Sequence, residues 1–161
     1  MVAPHTQGES NRLGSGEILA LANYPTFNPN AAGKASDDER RNRALADVYE
    51  PGSTIKLVTA SAAMESGIVK PDTLIDTGNG VYVMAGRSKP ITDTHHYGIL
   101  SFTDVIVKSS NIGAVKVGLR TGAERMTEYL RRFGFGQTLA PDLTGESRGI
   151  LNTTNLTESG L

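Results

Sequence analysis

The sequence predicts a mainly α-helical domain with a small β component, and two observations support this prediction. Four segments combine a helix-start signal with apolar residues at helical spacing, and they begin near Ser53, Ser101, Asn111 and Thr121. Strand patterns are confined to an apolar run at residues 16–22 and a short ribbon formed by residues 81–84 and 90–92. The 161 residues suffice for one ordinary domain with one hydrophobic core.

Composition excludes several classes of function. The chain carries 16 Lys and Arg against 17 Asp and Glu, a net charge of -1, so its charge does not indicate a nucleic-acid partner. It has no cysteine, and His95 and His96 lack a Glu or Cys at ligand spacing, so we expect neither a metal nor another cofactor. Because the sequence shows no apolar run of membrane-spanning length and no signal-peptide layout, we expect a soluble chain.

The segment from Ser53 to Gly67 predicts a single buried helix. It follows a Pro-Gly break, ends at a glycine, and carries no charge between Lys56 and Glu65. A helix that is apolar on nearly every face belongs in the middle of a domain. The lysine in its first turn is therefore the exception that needs an explanation.

A serine and a lysine three residues apart suggest an activated nucleophile. Residues at this spacing are neighbours on a helix, so the amine of Lys56 is expected beside the hydroxyl of Ser53. Burial lowers the pKa of a lysine, and a serine becomes a useful nucleophile when a base lies next to it. The alternative is structural: Ser53 caps the helix, and the lysine extends its amine to water.

Two later helices are predicted from their first turns. Ser101 followed by Asp104 resembles a capping box. Thr121 followed by Glu124 predicts another, ahead of a helix whose apolar face carries Met126, Tyr129, Leu130 and Phe133. Towards the N-terminus, residues 16–22 are expected to form a buried strand, and the polar residues 31–40 are expected to be mobile.

Ser109 and Asn111 lie where one predicted helix ends and the next begins. Side chains at such a junction can point into a cleft, and an asparagine offers both a donor and an acceptor to a substrate amide. The alternative is again a helix cap, because Ser and Asn favour these positions whatever their function.

Together the two patterns resemble class B penicillin-binding proteins, which are serine D,D-transpeptidases. The runs Glu50-Pro51-Gly52-Ser53-Thr54-x-Lys56 and Lys108-Ser109-Ser110-Asn111 follow the family's order, as do those at residues 16–20, 24–29, 41–44, 133–136 and 145–146. The chain resembles the N-terminal part of the transpeptidase domain, from about residue 16 to residue 151. This implies the helical half of a fold shared with serine β-lactamases, without most of the central antiparallel sheet.

The resemblance implies a role for each matching residue. Ser53 would be acylated, Lys56 would be the general base, and Ser109 would relay a proton to the leaving group. Asn111 would bind the acyl donor, with Ser110 as a neighbouring substrate contact. The implied partners are a peptidoglycan stem peptide, a β-lactam or a small ester, and full-length relatives work at the periplasmic face of the inner membrane.

The chain also departs from the family pattern. It lacks the Lys-Ser/Thr-Gly motif, because Arg120-Thr121-Gly122 follows Asn111 too closely and marks a predicted helix start. The missing motif predicts that residues 16–151 form a truncated domain. Residues 1–15 are polar and without periodicity, so we expect them to be a flexible arm or a non-native extension, and we expect residues 152–161 to be a polar tail. An incomplete sheet predicts a homo-oligomer or strand-exchanged dimer, or else a repacked, mainly helical fold. Three functions remain open: an acylating transpeptidase fragment, a minimal Ser-Lys hydrolase, and an inert structural remnant.

Overall fold

The computed structural model describes residue 18, residues 20–139 and residues 142–152. The described chain divides into two compact units. One comprises the described parts of Met1–Tyr49 with Thr138–Arg148, and the other, which we call the helical unit, comprises Glu50–Gln137 with the described part of Gly149–Leu161. The predicted arm at residues 1–15 and nearly all of the predicted tail lie outside the described residues.

The first unit contains only short helices among its described residues. A 3-10 helix at Pro29–Lys34 precedes α1 at Asp37–Arg40 and α2 at Arg43–Ala46. These helices lie in and around residues 31–40, the polar segment that the sequence predicts to be mobile. A capping box begins α1, in which Ser36 and Glu39 satisfy each other's backbone N–H groups.

The predicted strand at residues 16–22 is also wrong in its described part. Residues 18 and 20–22 form no strand, and Ile18 is 42% exposed. A strand needs a neighbour that satisfies its backbone N–H and C=O groups. The two sheets in the described part of the chain pair other segments with each other.

Four helices and two small sheets make up the helical unit. The helices are α3 at Ile55–Glu65, α4 at Phe102–Val107, α5 at Asn111–Thr121 and α6 at Ala123–Arg132. In one sheet β1 at Leu74–Asp76 pairs antiparallel with β4 at Ile99–Ser101. In the other β2 at Val81–Tyr82 pairs antiparallel with β3 at Ile91–Thr92, which confirms the predicted ribbon.

The central helix α3 packs against α5 and α6, and two hydrophobic clusters meet on it. One cluster joins Ala63 of α3 to Ile75 and Val117, and the other joins Val58 and Ala62 to α6. The expectation of burial on nearly every face is only partly right, because Leu57 is 59% exposed and Met64 is 46% exposed. Both lie on faces of α3 that neither cluster covers.

The ends of the later helices agree with the sequence at Ser101 and disagree at Thr121. Ser101 caps α4 by accepting a hydrogen bond from the N–H of Asp104. Thr121 instead ends α5, and its hydroxyl donates to the carbonyl of Val117. Gly122 (φ 85°) separates α5 from α6, because glycine readily adopts a positive φ.

The inner face of α6 is as predicted except at its end. Met126, Tyr129 and Leu130 are buried, whereas Phe133 follows the last turn and is 47% exposed. In the described part of the chain, no helix combines the length and apolar character needed to cross a membrane.

Candidate active site

A tight turn places Ser53 directly before α3. Gly52 has a φ of 58° and begins a 3-10 turn, Gly52–Thr54, that runs into the helix. Lys56 is the second residue of α3, and its Nζ lies 3.3 Å from the Oγ of Ser53. Ser53 is exposed, whereas Lys56 is 7% exposed, so the amine lies beneath the hydroxyl.

Ser109 stands in an unusual backbone conformation between α4 and α5. Its φ is 54°, and it is the only non-glycine residue with a positive φ in the described part of the chain. Such a conformation costs about 1–3 kcal/mol and persists only where the surroundings hold it. Here it directs both the carbonyl and the hydroxyl of Ser109 at Lys56, at 2.5 Å and 2.8 Å from Nζ.

The hydroxyls of Ser53 and Ser109 and the amine of Lys56 form a closed triangle. Ser109 Oγ lies 3.0 Å from Ser53 Oγ and 2.8 Å from Lys56 Nζ, which is in turn 3.3 Å from Ser53 Oγ. Asn111 Oδ1 adds a further acceptor 2.9 Å from Nζ. The structure thus brings together Ser53, Lys56, Ser109 and Asn111, which the sequence places up to 58 positions apart.

Four oxygen atoms lie within hydrogen-bonding distance of the amine of Lys56. Two of them are the hydroxyl oxygens of Ser53 and Ser109, which can accept from an ammonium group or donate to the lone pair of a neutral amine. Burial lowers the pKa of Lys56, and the carboxylate of Asp93 partly offsets this shift. Burial thus shifts Lys56 towards the neutral amine, the form that can act as a base.

Asn111 keeps hydrogen-bonding capacity for a ligand. Its Nδ2 donates to the carbonyl of Thr92 at 2.9 Å, and its Oδ1 accepts from Lys56. One of its two N–H bonds and one lone pair remain after these contacts. Since Asn111 is exposed, this capacity can be used by a substrate amide.

Ser110, which the sequence predicts to be a substrate contact, is buried in the fold. Its side chain is 1% exposed and caps α5, accepting from the N–H of Gly113 at 2.9 Å. The same hydroxyl donates to Oδ2 of Asp93 at 2.6 Å. Because its only donor hydrogen is used inside the fold and the residue is buried, a direct contact with substrate does not fit this placement.

Asp93 is the residue that the sequence analysis missed. It follows β3, and its carboxylate accepts from the backbone N–H groups of Asn111 and Ile112 as well as from Ser110. It also exerts the charge that raises the pKa of Lys56. One signal was available, because Asp93 is the only Asp or Glu between Asp76 and Asp104.

Metal chemistry receives no support from the described side chains. In residue 18 and the ranges 20–139 and 142–152, no group of three or more His, Cys, Asp or Glu side chains could hold a metal ion. His95 packs edge-on against Tyr97, with the two ring centres 5.7 Å apart. The groups gathered around Ser53 are a second hydroxyl, an amine and an amide.

Comparison with known proteins shows the family to which the chain is similar. The family model described as the penicillin binding protein transpeptidase domain matches residues 13–161. The chain is 41% identical over 137 residues to the probable peptidoglycan D,D-transpeptidase PenA of Neisseria gonorrhoeae, covering 85% of this chain and 23% of that protein. It is 38% identical over 140 residues to the penicillin-binding protein PbpB of Mycolicibacterium smegmatis, covering 85% and 21% respectively.

A solved structure shows the same relationship. The chain superposes with a TM-score of 0.72 on a peptidoglycan glycosyltransferase from Burkholderia ambifaria, at 42% identity, over 85% of this chain and 39% of that one. Of the two curated relatives, PenA and PbpB, the chain spans less than a quarter of the length.

Proposed function

Because the chain belongs to the penicillin-binding protein transpeptidase domain family, we propose that it is a serine acyl-transfer protein that forms an acyl-enzyme at Ser53. The observation that carries this proposal is the triangle of Ser53, Lys56 and Ser109. A nucleophile, a buried amine of lowered pKa and a second hydroxyl lie within 3.3 Å of one another. These are the parts that acyl transfer requires of an activated serine.

In the proposed first step, Ser53 Oγ attacks the carbonyl carbon of the acyl donor. Its proton passes to the neutral amine of Lys56 across the 3.3 Å contact, and the carbonyl oxygen becomes an oxyanion. The backbone N–H of Ser53 would donate to that oxyanion, a kind of contact whose loss typically costs ~10²–10³ in rate.

In the second step, the tetrahedral intermediate collapses and the carbon–nitrogen bond breaks. The departing nitrogen takes the hydroxyl proton of Ser109, whose Oγ lies 3.0 Å from Ser53 Oγ. Lys56 then returns its extra proton to Ser109 across 2.8 Å. The products are an ester at Ser53, an amine and a neutral lysine. The ester can then be attacked by an acceptor.

The proposed acyl donors are a peptidoglycan stem peptide, whose terminal D-Ala is released, and a β-lactam, whose ring nitrogen is the leaving group. Asn111 would hold the donor's amide through its remaining N–H and lone pair. For the whole protein to which such a chain contributes, the proposed place of work is the periplasmic face of the inner membrane.

The exposure of Ser53 favours a second candidate function, hydrolysis of small activated esters or β-lactams. Water can reach an acyl group on this exposed hydroxyl. Cross-linking, by contrast, needs an acceptor amine held in a defined position, which demands more of the site than water does.

One experiment separates these functions from an inert remnant. The chain is incubated with a penicillin and, separately, with a p-nitrophenyl ester, and intact mass and p-nitrophenol release are measured beside Ser53→Ala. A stable penicillin adduct that Ser53→Ala abolishes supports acyl transfer. Ester turnover without an adduct supports the hydrolase. If neither the chain nor Ser53→Ala forms an adduct or releases p-nitrophenol, acyl transfer and hydrolysis are both refuted.

A further inference from the structure

We propose that Asp93 is a positioning residue of this site: its carboxylate holds the turn that presents Ser109 and Asn111 to Lys56. The inference rests on the proposed function, since it explains how the same site is kept in its reactive arrangement. Asp93 does not touch Ser53, Ser109 or the amine through any hydrogen bond of the described chain, so it acts through other residues.

The first step of the argument is the set of donors around the carboxylate. Oδ1 accepts from the backbone N–H of Asn111 at 2.5 Å and of Ile112 at 3.1 Å. These two groups belong to the first turn of α5, where N–H groups have no partner within the helix. The positive end of the helix dipole also stabilises a negative charge at this end of a helix.

The second step is the cap that Asp93 supports. Oδ2 accepts from the buried hydroxyl of Ser110, which itself accepts from the N–H of Gly113. A Cβ at Gly113 would lie 2.6 Å from a methyl carbon of Val105, so α4 and α5 approach closely at this point. The capping side chain of Ser110 therefore lies between two tightly packed helices, and its hydrogen bond to the Asp93 carboxylate fixes its rotamer.

The third step connects this anchor to Ser109. Its positive φ needs restraint on both sides. On the N-terminal side, the N–H of Ser109 donates to the carbonyl of Ile106 at 3.1 Å. On the C-terminal side, the next two residues are those that donate to Asp93. Releasing them frees Ser109 to leave the left-handed region and to withdraw both of its oxygens from Lys56.

The fourth step is that Asp93 is itself fixed to the β2–β3 ribbon. Its N–H donates to the carbonyl of Gly80 at 3.1 Å, and the neighbouring Thr92 carbonyl accepts from Asn111. The ribbon is held to α5 by a separate contact, since the amine of Lys116 lies 5.0 Å from the centre of the Tyr82 ring. Losing the carboxylate should therefore loosen the Ser109 turn without detaching the ribbon.

The test compares Asp93→Ala, which removes every acceptor, with Asp93→Asn, which keeps the size and one oxygen but loses the charge. The matched control is Asp72→Asn, which removes the same charge from an exposed position. Should Asp93→Ala fail to fold, Asp93→Asn carries the test alone. Amide hydrogen exchange measured by NMR gives the first readout and needs no substrate.

We expect the amides of Asn111 and Ile112 to exchange at least tenfold faster in Asp93→Ala, with a smaller increase in Asp93→Asn. The amide of Met126 in α6 should keep its rate in all three variants, which separates loosening of the turn from general unfolding. Unchanged exchange at Asn111 and Ile112 in both Asp93 variants would overturn the proposal.

The titration of Lys56 gives a second readout that a purely structural role would not move. The side chains that contact its amine are Ser53, Ser109 and Asn111, and the charge that raises its pKa is that of Asp93. Asp93→Asn should therefore move the Lys56 titration to lower pH, whereas Asp72→Asn should leave it in place. An unmoved titration in Asp93→Asn would contradict the inference.

Acylation by a penicillin is the third readout, and it distinguishes the two proposals. Asp93→Ala should form the Ser53 adduct at least tenfold more slowly than the unaltered chain, and Asp72→Asn at the unaltered rate. If the unaltered chain forms no adduct, the proposed function fails, and the exchange and titration data alone decide the role of Asp93. If the adduct forms equally fast in Asp93→Ala, the positioning role is refuted.

Discussion

The left-handed conformation of Ser109 allows its backbone and its hydroxyl to be tested separately. Ser109→Ala and Ser109→Gly both remove the hydroxyl, and both keep the carbonyl that lies 2.5 Å from the amine of Lys56. They differ at φ 54°, which glycine adopts readily and alanine does not. We expect Ser109→Ala to be less stable than Ser109→Gly by about 1 kcal/mol.

The two variants should behave alike in acylation. Each lacks the hydroxyl that lies between Ser53 and Lys56 at 3.0 Å and 2.8 Å, so each loses the proposed proton relay. Proton transfer by a positioned group contributes ~10²–10⁴-fold, so we expect both to acylate at least ~10²-fold more slowly than the unaltered chain.

Urea unfolding measures the first difference, and a time course of intact mass with a penicillin measures the second. An alanine variant as stable as the glycine variant would show that the backbone of Ser109 is not held at positive φ. Acylation at the unaltered rate in either variant would show that the hydroxyl relays no proton.

Three further predictions concern pH, packing and assembly. Because the folded-state pKa of Lys56 lies below its ordinary 10.5, the unfolded chain binds more protons between those two values. The free energy of unfolding should therefore rise with pH across that window, and Lys56→Met should remove this rise in urea titrations. Gly113→Ala should destabilise the fold by about 1–3 kcal/mol, since its Cβ would meet Val105 at 2.6 Å; unaltered urea stability would contradict this packing. The incomplete sheet predicts self-association, for which exposed apolar side chains such as Leu57 (59%), Val83 (77%) and Val107 (73%) are available; a monodisperse 17.1 kDa species in light scattering would refute it.

The predicted contact between Ser53 and Lys56 is set by local geometry. Ser53 and Lys56 are one helical turn apart, so their proximity follows from helix periodicity as soon as the Pro-Gly break fixes the helix start. The contact between Lys56 and Ser109 spans 53 residues, and only the resemblance to a family indicated it. Asp93 has neither kind of signal, because its three partners lie on another element and capping carboxylates of this kind have no fixed spacing.

Two predictions about the fold were wrong because the structure there depends on more than the local sequence pattern. Residues 16–22 have the composition of a strand, but a strand also requires a pairing partner, which composition does not reveal. At Thr121 the capping-box pattern was present, yet Gly122 can adopt the positive φ that ends one helix and begins the next. In both places a neighbour, rather than the pattern itself, determined the structure.

The central claim is that Lys56 is neutral often enough to take the proton of Ser53. An NMR titration of the chain with ¹³C-labelled lysine, in which Lys56→Met identifies the Lys56 signal, measures this directly. The account predicts a Lys56 midpoint below the ordinary lysine value of 10.5, with the penicillin acylation rate rising over the same pH range. A midpoint at or above 10.5, or an acylation rate that does not follow the titration, would contradict it.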